Sequence, residues 1–149
     1  MKYLKPLEVL LIEDDPGDVE LTKVAMEDSK VMVNLHVVQD GDEAIAFLNQ
    51  SDRFTDAPCP DLILMGLSLP NKDGREVLRE LKEDENWKAI PVVILTTSTS
   101  EEDILRSYNL GANCYVSKPI RLDQFTKVVQ SIEEFWFTVV KLPTRARIG

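Results

Sequence analysis

The sequence predicts an α/β fold, a doubly wound five-stranded parallel sheet with five helices, on three observations. Short runs rich in valine, isoleucine and leucine alternate with segments of helical period. Several of these runs are apolar on both faces, as strands covered by helices on both sides would be. Five strand-helix units use the whole chain with no internal repeat, and 149 residues with 44% hydrophobic and 29% charged side chains is the size and composition of one globular domain, 1–149.

The strands are expected over Glu8 to Ile12, Asn34 to Val38, Asp61 to Gly66, Pro91 to Thr96 and Asn113 to Val116. The first helix follows Pro16, with Leu21, Val24, Ala25 and Asp28 on one face. The second runs from Asp42 with Ala44, Ile45 and Leu48, and the third from Gly74 with Val77, Leu78 and Leu81. A fourth starts near Ser100, brings Ile104, Leu105 and Tyr108 together, and stops at Gly111, with Ser100 or Ser98 as its cap. The fifth has the strongest pattern: Leu122, Phe125, Val128, Val129, Ile132, Phe135, Trp136, Val139 and Val140 recur in steps of three and four. A short tail, about 141–149, follows it.

The formal charge of -9, from 26 acidic against 17 basic side chains, repels a phosphate backbone and an anionic membrane alike. No nucleic acid and no membrane are therefore expected as partners. Lys141, Arg145 and Arg147 read as a solvated terminus. Cys59 and Cys114 form neither a CxxC pair nor a metal cluster, so they read as reduced thiols of a cytoplasmic protein. The apolar run before Glu13 is too short for the core of a signal peptide, and no other stretch is long enough to cross a bilayer.

In a doubly wound sheet the sites lie at the carboxyl ends of the strands. After the first strand stand Glu13, Asp14 and Asp15. One or two of these acids would serve simply as a helix cap, but adjacent carboxylates repel unless a cation or a lysine stands between them. After the fourth strand comes the hydroxyl-rich run Thr96 to Ser100, and after the fifth Lys118-Pro119. An acidic pair, a hydroxyl and a lysine from three strand ends suit a hard divalent cation together with a phosphoryl group.

With VLLIEDD at 9–15, DLILMGLSLPNKDG at 61–74, PVVILTTS at 91–98 and GANCYVSKP at 111–119, the chain resembles the response-regulator receiver family over essentially its whole length. The resemblance is greatest to single-domain regulators of bacterial, especially cyanobacterial, phytochrome histidine kinases. It implies a flavodoxin-like receiver fold, a two-component phosphorelay, a sensor histidine kinase as partner and Mg²⁺ as cofactor. It further implies that Asp14 ligates the metal, Glu13 acts through water, and Ser68 lends a backbone carbonyl. Thr96 corresponds to the switch hydroxyl, Tyr115 to the aromatic that follows it inward, and Lys118 to the lysine that pairs with the phosphoryl oxygens. The Lys118-Pro119 bond is cis in that pattern. The chain ends soon after the fifth helix, so no output domain is expected.

One position departs from the pattern. Where the family carries its phosphate-accepting aspartate, this chain has Gly66, which offers no oxygen for an acyl phosphate and removes one of three carboxylates from the metal site. Phosphorylation is expected to be lost and Mg²⁺ to be weakened. Met65 and Leu67 cannot take the role, Ser68 sits on the loop, and Asp61 lies ~16 Å away at the other end of the strand. Three readings stay open: a recent or artificial loss, a natural pseudo-receiver that signals by binding alone, or a strand glycine kept for close backbone approach. Retention of Glu13, Asp14, Thr96, Tyr115 and Lys118 favours the first.

His36, the single histidine, reads as structural, and Trp87 as a cover for the core. The chain lacks a GxGxxG loop, a GxxxxGK[ST] loop and a GxSxG elbow, so no enzyme activity is expected. Phe135, Trp136 and Val139 prolong the apolar stripe of the last helix. In receivers of this type a homodimer forms through the fourth helix, fifth strand and fifth helix, and the same is expected here.

Overall fold

A computed structural model describes residues 6–29, 32–96, 111–112 and 114–138. Its elements run β1 (Leu7–Ile12), α1 (Pro16–Glu27), β2 (Val33–Val38), α2 (Gly41–Asn49), a 3-10 turn (Asp52–Phe54), β3 (Leu62–Met65), α3 (Gly74–Glu83), β4 (Val92–Thr96), β5 (Cys114–Ser117) and α4 (Leu122–Thr138). Each of the first three helices opens on an aspartate that the chain places just ahead of it. The carboxylates of Asp15, Asp40 and Asp73 accept from the amides of Gly17, Glu43 and Arg75, satisfying donors that the helix itself leaves unpaired.

The strands form one sheet in the order β2-β1-β3-β4-β5, every pair parallel. Alternate residues of each strand enter opposite layers of core. Leu10, Ile12, Ile63, Met65, Val92 and Ile94 pack with Phe47 of α2 and Val77, Leu78 and Leu81 of α3. Val9, Leu11, Leu62, Leu64, Val93 and Leu95 pack with Ala25 and Met26 of α1 and Phe125, Val128 and Val129 of α4. The doubly wound arrangement thus follows from strands that are apolar on both sides. It also sets a parity: Glu13 and Gly66 continue the odd series of β1 and the even series of β3, which face α1 and α4.

The expectation of five helices is corrected: the described residues hold four α-helices and one 3-10 turn. The turn at Asp52–Phe54 is too short to become an α-helix, and the fourth expected helix falls on residues 97–110, outside the described residues. The expected last helix is α4, and Val139, Val140 and the tail likewise lie outside the described residues. β3 is shorter than expected at both ends: its ladder ends at Met65, so Gly66 stands just past the strand, although its amide still donates to Ile12 O at 3.2 Å. β4 starts one residue late, as Pro91 has no amide hydrogen to give the ladder.

The expected face of α1 is also corrected. Thr22, Ala25 and Met26 are buried, while Leu21 and Val24 are 49% and 52% exposed, and Asp28 is exposed. The helix is set by a hydroxyl that its own backbone can satisfy: Thr22 Oγ1 donates to Asp18 O at 2.8 Å, which lets this polar residue enter the core in place of a leucine.

Candidate functional site at the carboxyl edge of the sheet

Glu13 leaves β1 as a buried carboxylate, only 2% exposed, with its backbone held by Val38 O at 3.0 Å. One side-chain oxygen, Oε2, accepts from the amide of Asp15 at 3.1 Å. The other, Oε1, is buried without a hydrogen bond. Lys118 Nζ lies 3.0 Å from that oxygen, so its charge compensates the buried carboxylate. The same ammonium stands 3.2 Å from Asp18 Oδ2. Burial works against the charge on Lys118, but the carboxylates of Glu13 and Asp18 outweigh it and hold its pKa above the ordinary lysine value.

The three acids after β1 therefore divide their work. Asp15 is the helix cap that the simplest reading allows, Glu13 turns into the pocket, and Asp14 is exposed at its rim. Lys118 is placed by β5, where its amide donates to Thr96 O at 3.0 Å, and the bond that follows, Lys118-Pro119, is cis as the resemblance implies. Thr96 is buried at the end of β4, beside Ser117 in the register, and Tyr115 is half-buried against the core layer of α2 and α3. Ser68 is exposed on the loop after β3.

Gly66 faces this group. A β-carbon built on it would meet Glu13 Oε1 at 3.4 Å and Lys118 Nζ at 3.7 Å, ordinary contacts, and its backbone needs no left-handed angle. No backbone approaches it closely, so the reading of Gly66 as a glycine kept for close packing loses its physical basis. A side chain here would point between an acid and a lysine.

Among the described residues no group of three or more histidine, cysteine, aspartate or glutamate side chains is arranged to hold a metal ion. Glu13 and Asp14 are two carboxylates where the three-acid pattern needs a third, and the inner one is already engaged by Lys118. The residues present thus supply two of the three carboxylates of that pattern, and a hard cation of magnesium's kind completes its shell with water.

The other residues that stand out in the sequence fall outside the pocket. Asp61 accepts from the amide of Glu8 at 2.8 Å, at the amino end of the sheet, far from Gly66. His36 Nε2 lies 2.8 Å from Glu8 Oε1 and its ring is 5.5 Å from Phe47, a structural role. Trp87 packs against the core. Of the residues expected at a dimer surface, Phe135 and Trp136 lie on α4, but their side chains, like Val139, are outside the described residues. No helix among the described residues is long and apolar enough to cross a membrane.

Asp18 is the pocket residue that sequence reasoning missed. It sits in the first turn of α1, where an acid reads as a complement to the helix dipole, and only the position of Lys118 reveals its second partner. No local signal marked it, since its second partner stands a hundred residues later in the chain.

Residues 9–130 match the family model described as response regulator receiver domain. The chain is 45% identical over 138 residues to the response regulator Rcp1 of Synechocystis sp., covering 93% of this chain and 94% of that one. Two solved structures resemble it at 45% identity. The phosphorylated cyanobacterial phytochrome response regulator RcpA superposes with a TM-score of 0.75, covering 94% of this chain and 100% of that one. The Mn²⁺-bound form of Rcp1 gives 0.73, with 93% and 100% covered.

Proposed function

This chain belongs to the response regulator receiver family, and we propose that it is a two-component receiver of phytochrome-type signalling that has lost its phosphate acceptor. The observation that carries the second half is Gly66: the pocket around it keeps the acid and the lysine of a phosphoryl site, but no side-chain oxygen occupies the acceptor position. A histidine kinase, of the phytochrome-linked kind, is the partner this family membership favours. The chain itself is a signalling receiver and not an enzyme. Magnesium, the hard cation such a pocket suits, is held more weakly here than where a third carboxylate stands.

The test is transfer of radiolabelled phosphate from a phytochrome-type histidine kinase. The chain should stay unlabelled and Gly66→Asp should acquire a hydroxylamine-labile label, since a β-carbon at 66 has room and points at Lys118. Label on the unaltered chain would overturn the assignment of position 66. A second reading, a pseudo-receiver that signals by binding alone, is favoured by the ion pairs that Lys118 makes with Glu13 and Asp18. It requires that the chain bind the kinase as tightly as Gly66→Asp does before phosphorylation, which a pull-down or calorimetric titration measures. Homodimer formation through the last helix is tested by sedimentation: a monomer at micromolar concentration, unchanged on removing 135–149, would rule it out.

A further inference from the structure

Glu13 is the inner acid of the pocket, and both of its oxygens are spoken for. Oε2 takes the Asp15 amide at 3.1 Å, and Oε1, buried and without a hydrogen bond, has the Lys118 ammonium 3.0 Å away. The ammonium is held from its other side by Asp18 at 3.2 Å. A divalent ion on Glu13 would have to push this lysine away, since two cations sharing one carboxylate repel within about 4–6 Å. With glycine at 66 no further carboxylate is on hand to offset the broken pair, and Asp14 alone, exposed at the rim, is a poor anchor.

We propose that Lys118, shared between Glu13 and Asp18, is the resident cation of this pocket and competes with a divalent metal ion for Glu13, with Asp18 as the residue that positions it. The proposal rests on the reading of the chain as a receiver without an acceptor and adds what fills the site in its place. Asp18 belongs to α1 and Lys118 follows β5, so the pair also ties the helix to the edge of the sheet.

Mn²⁺ alone is the probe, its free fraction read by electron paramagnetic resonance. Lys118→Met in the Gly66 chain should bind Mn²⁺ about tenfold more tightly than the unaltered chain, the effect of removing one like charge at this range. Lys118→Arg, which keeps the charge, should not, and so separates loss of charge from loss of fold. Unchanged or weaker Mn²⁺ binding by Lys118→Met, with a native circular dichroism spectrum, would overturn the proposal. For Asp18 the readout is reductive methylation of Lys118: Asp18→Asn should speed it severalfold and Asp18→Glu should restore the slow rate, whereas equal rates in all three would deny Asp18 its role. These outcomes are independent of kinase labelling. Failure of Gly66→Asp to take phosphate would remove the reading of a lost acceptor and leave the Mn²⁺ comparison standing.

Discussion

Gly66 and Gly74 bound the same loop, and their surroundings differ in kind. A β-carbon on Gly74 would overlap the carbonyl oxygen of Gly66 and stand 2.9 Å from both Leu67 Cα and Leu67 O, while its amide donates to that same Leu67 O at 2.8 Å. On Gly66 the added carbon meets only the ends of two side chains, at ordinary contact distance. Backbone dictates the glycine at 74, because α3 starts by closing against the loop. Nothing in the backbone dictates the one at 66. The loop that shapes the site is thus intact, and what is missing at 66 is chemistry without any accompanying change of fold.

Four measurements probe this contrast, in descending order of effect. Gly74→Ala should cost about 1–3 kcal/mol in urea denaturation, the usual penalty of overpacking against a rigid neighbour. A loss below a few tenths would show that the loop yields and that the two glycines are alike. Asp73→Ala, which removes the cap that accepts from Arg75 N at 3.1 Å, should cost about 1 kcal/mol in the same experiment. Gly66→Ala should shift stability by less than about 1 kcal/mol and in the favourable direction, as the unfolded chain loses freedom that the native backbone does not use; a large destabilisation would contradict the open space at 66.

The smallest effect is one of pH. Because the folded pKa of Lys118 lies above the ordinary 10.5, its ion pairs contribute fully below that value and are lost as pH rises through the folded one. The stability gap between the chain and Lys118→Met should therefore be flat across neutral pH and close only above about pH 10.5. A gap that changes near neutrality would mean another group controls the pocket.

Strand positions were legible because five short apolar runs, three of them buried on both sides, carry the same message twice, once in composition and once in spacing. Glu13, Thr96 and Lys118 could be read because the fold rule sends attention to strand ends and a family pattern names the types found there. α1 was misread because an exposed leucine and a buried threonine invert the hydrophobic code: Thr22 hides its hydroxyl in a bond to Asp18 O, which periodicity does not see. The count of helices erred for another reason, since apolar spacing over 104–108 says nothing of what the described residues hold, and Asp52–Phe54 is a turn with no periodicity to announce it. Asp18 escaped because its value depends on a lysine a hundred residues later in the chain, and such long-range pairing leaves no local mark.

The sheet order places β1 in the interior and β5 at an edge, bonded to β4 alone. The acid of the pocket therefore follows an interior strand, and its cation follows one of the two edge strands, which are freest to peel away. Opening of that edge would strip Glu13 of its counter-charge while the rest of the core stays closed, leaving a bare buried carboxylate that water must enter to solvate. Hydrogen exchange would see this as amides of β5 becoming labile well below the free energy of global unfolding, while the Glu13 amide, bonded to Val38 O, stays protected. Fraying, in this fold, is an electrostatic event at the centre of the sheet.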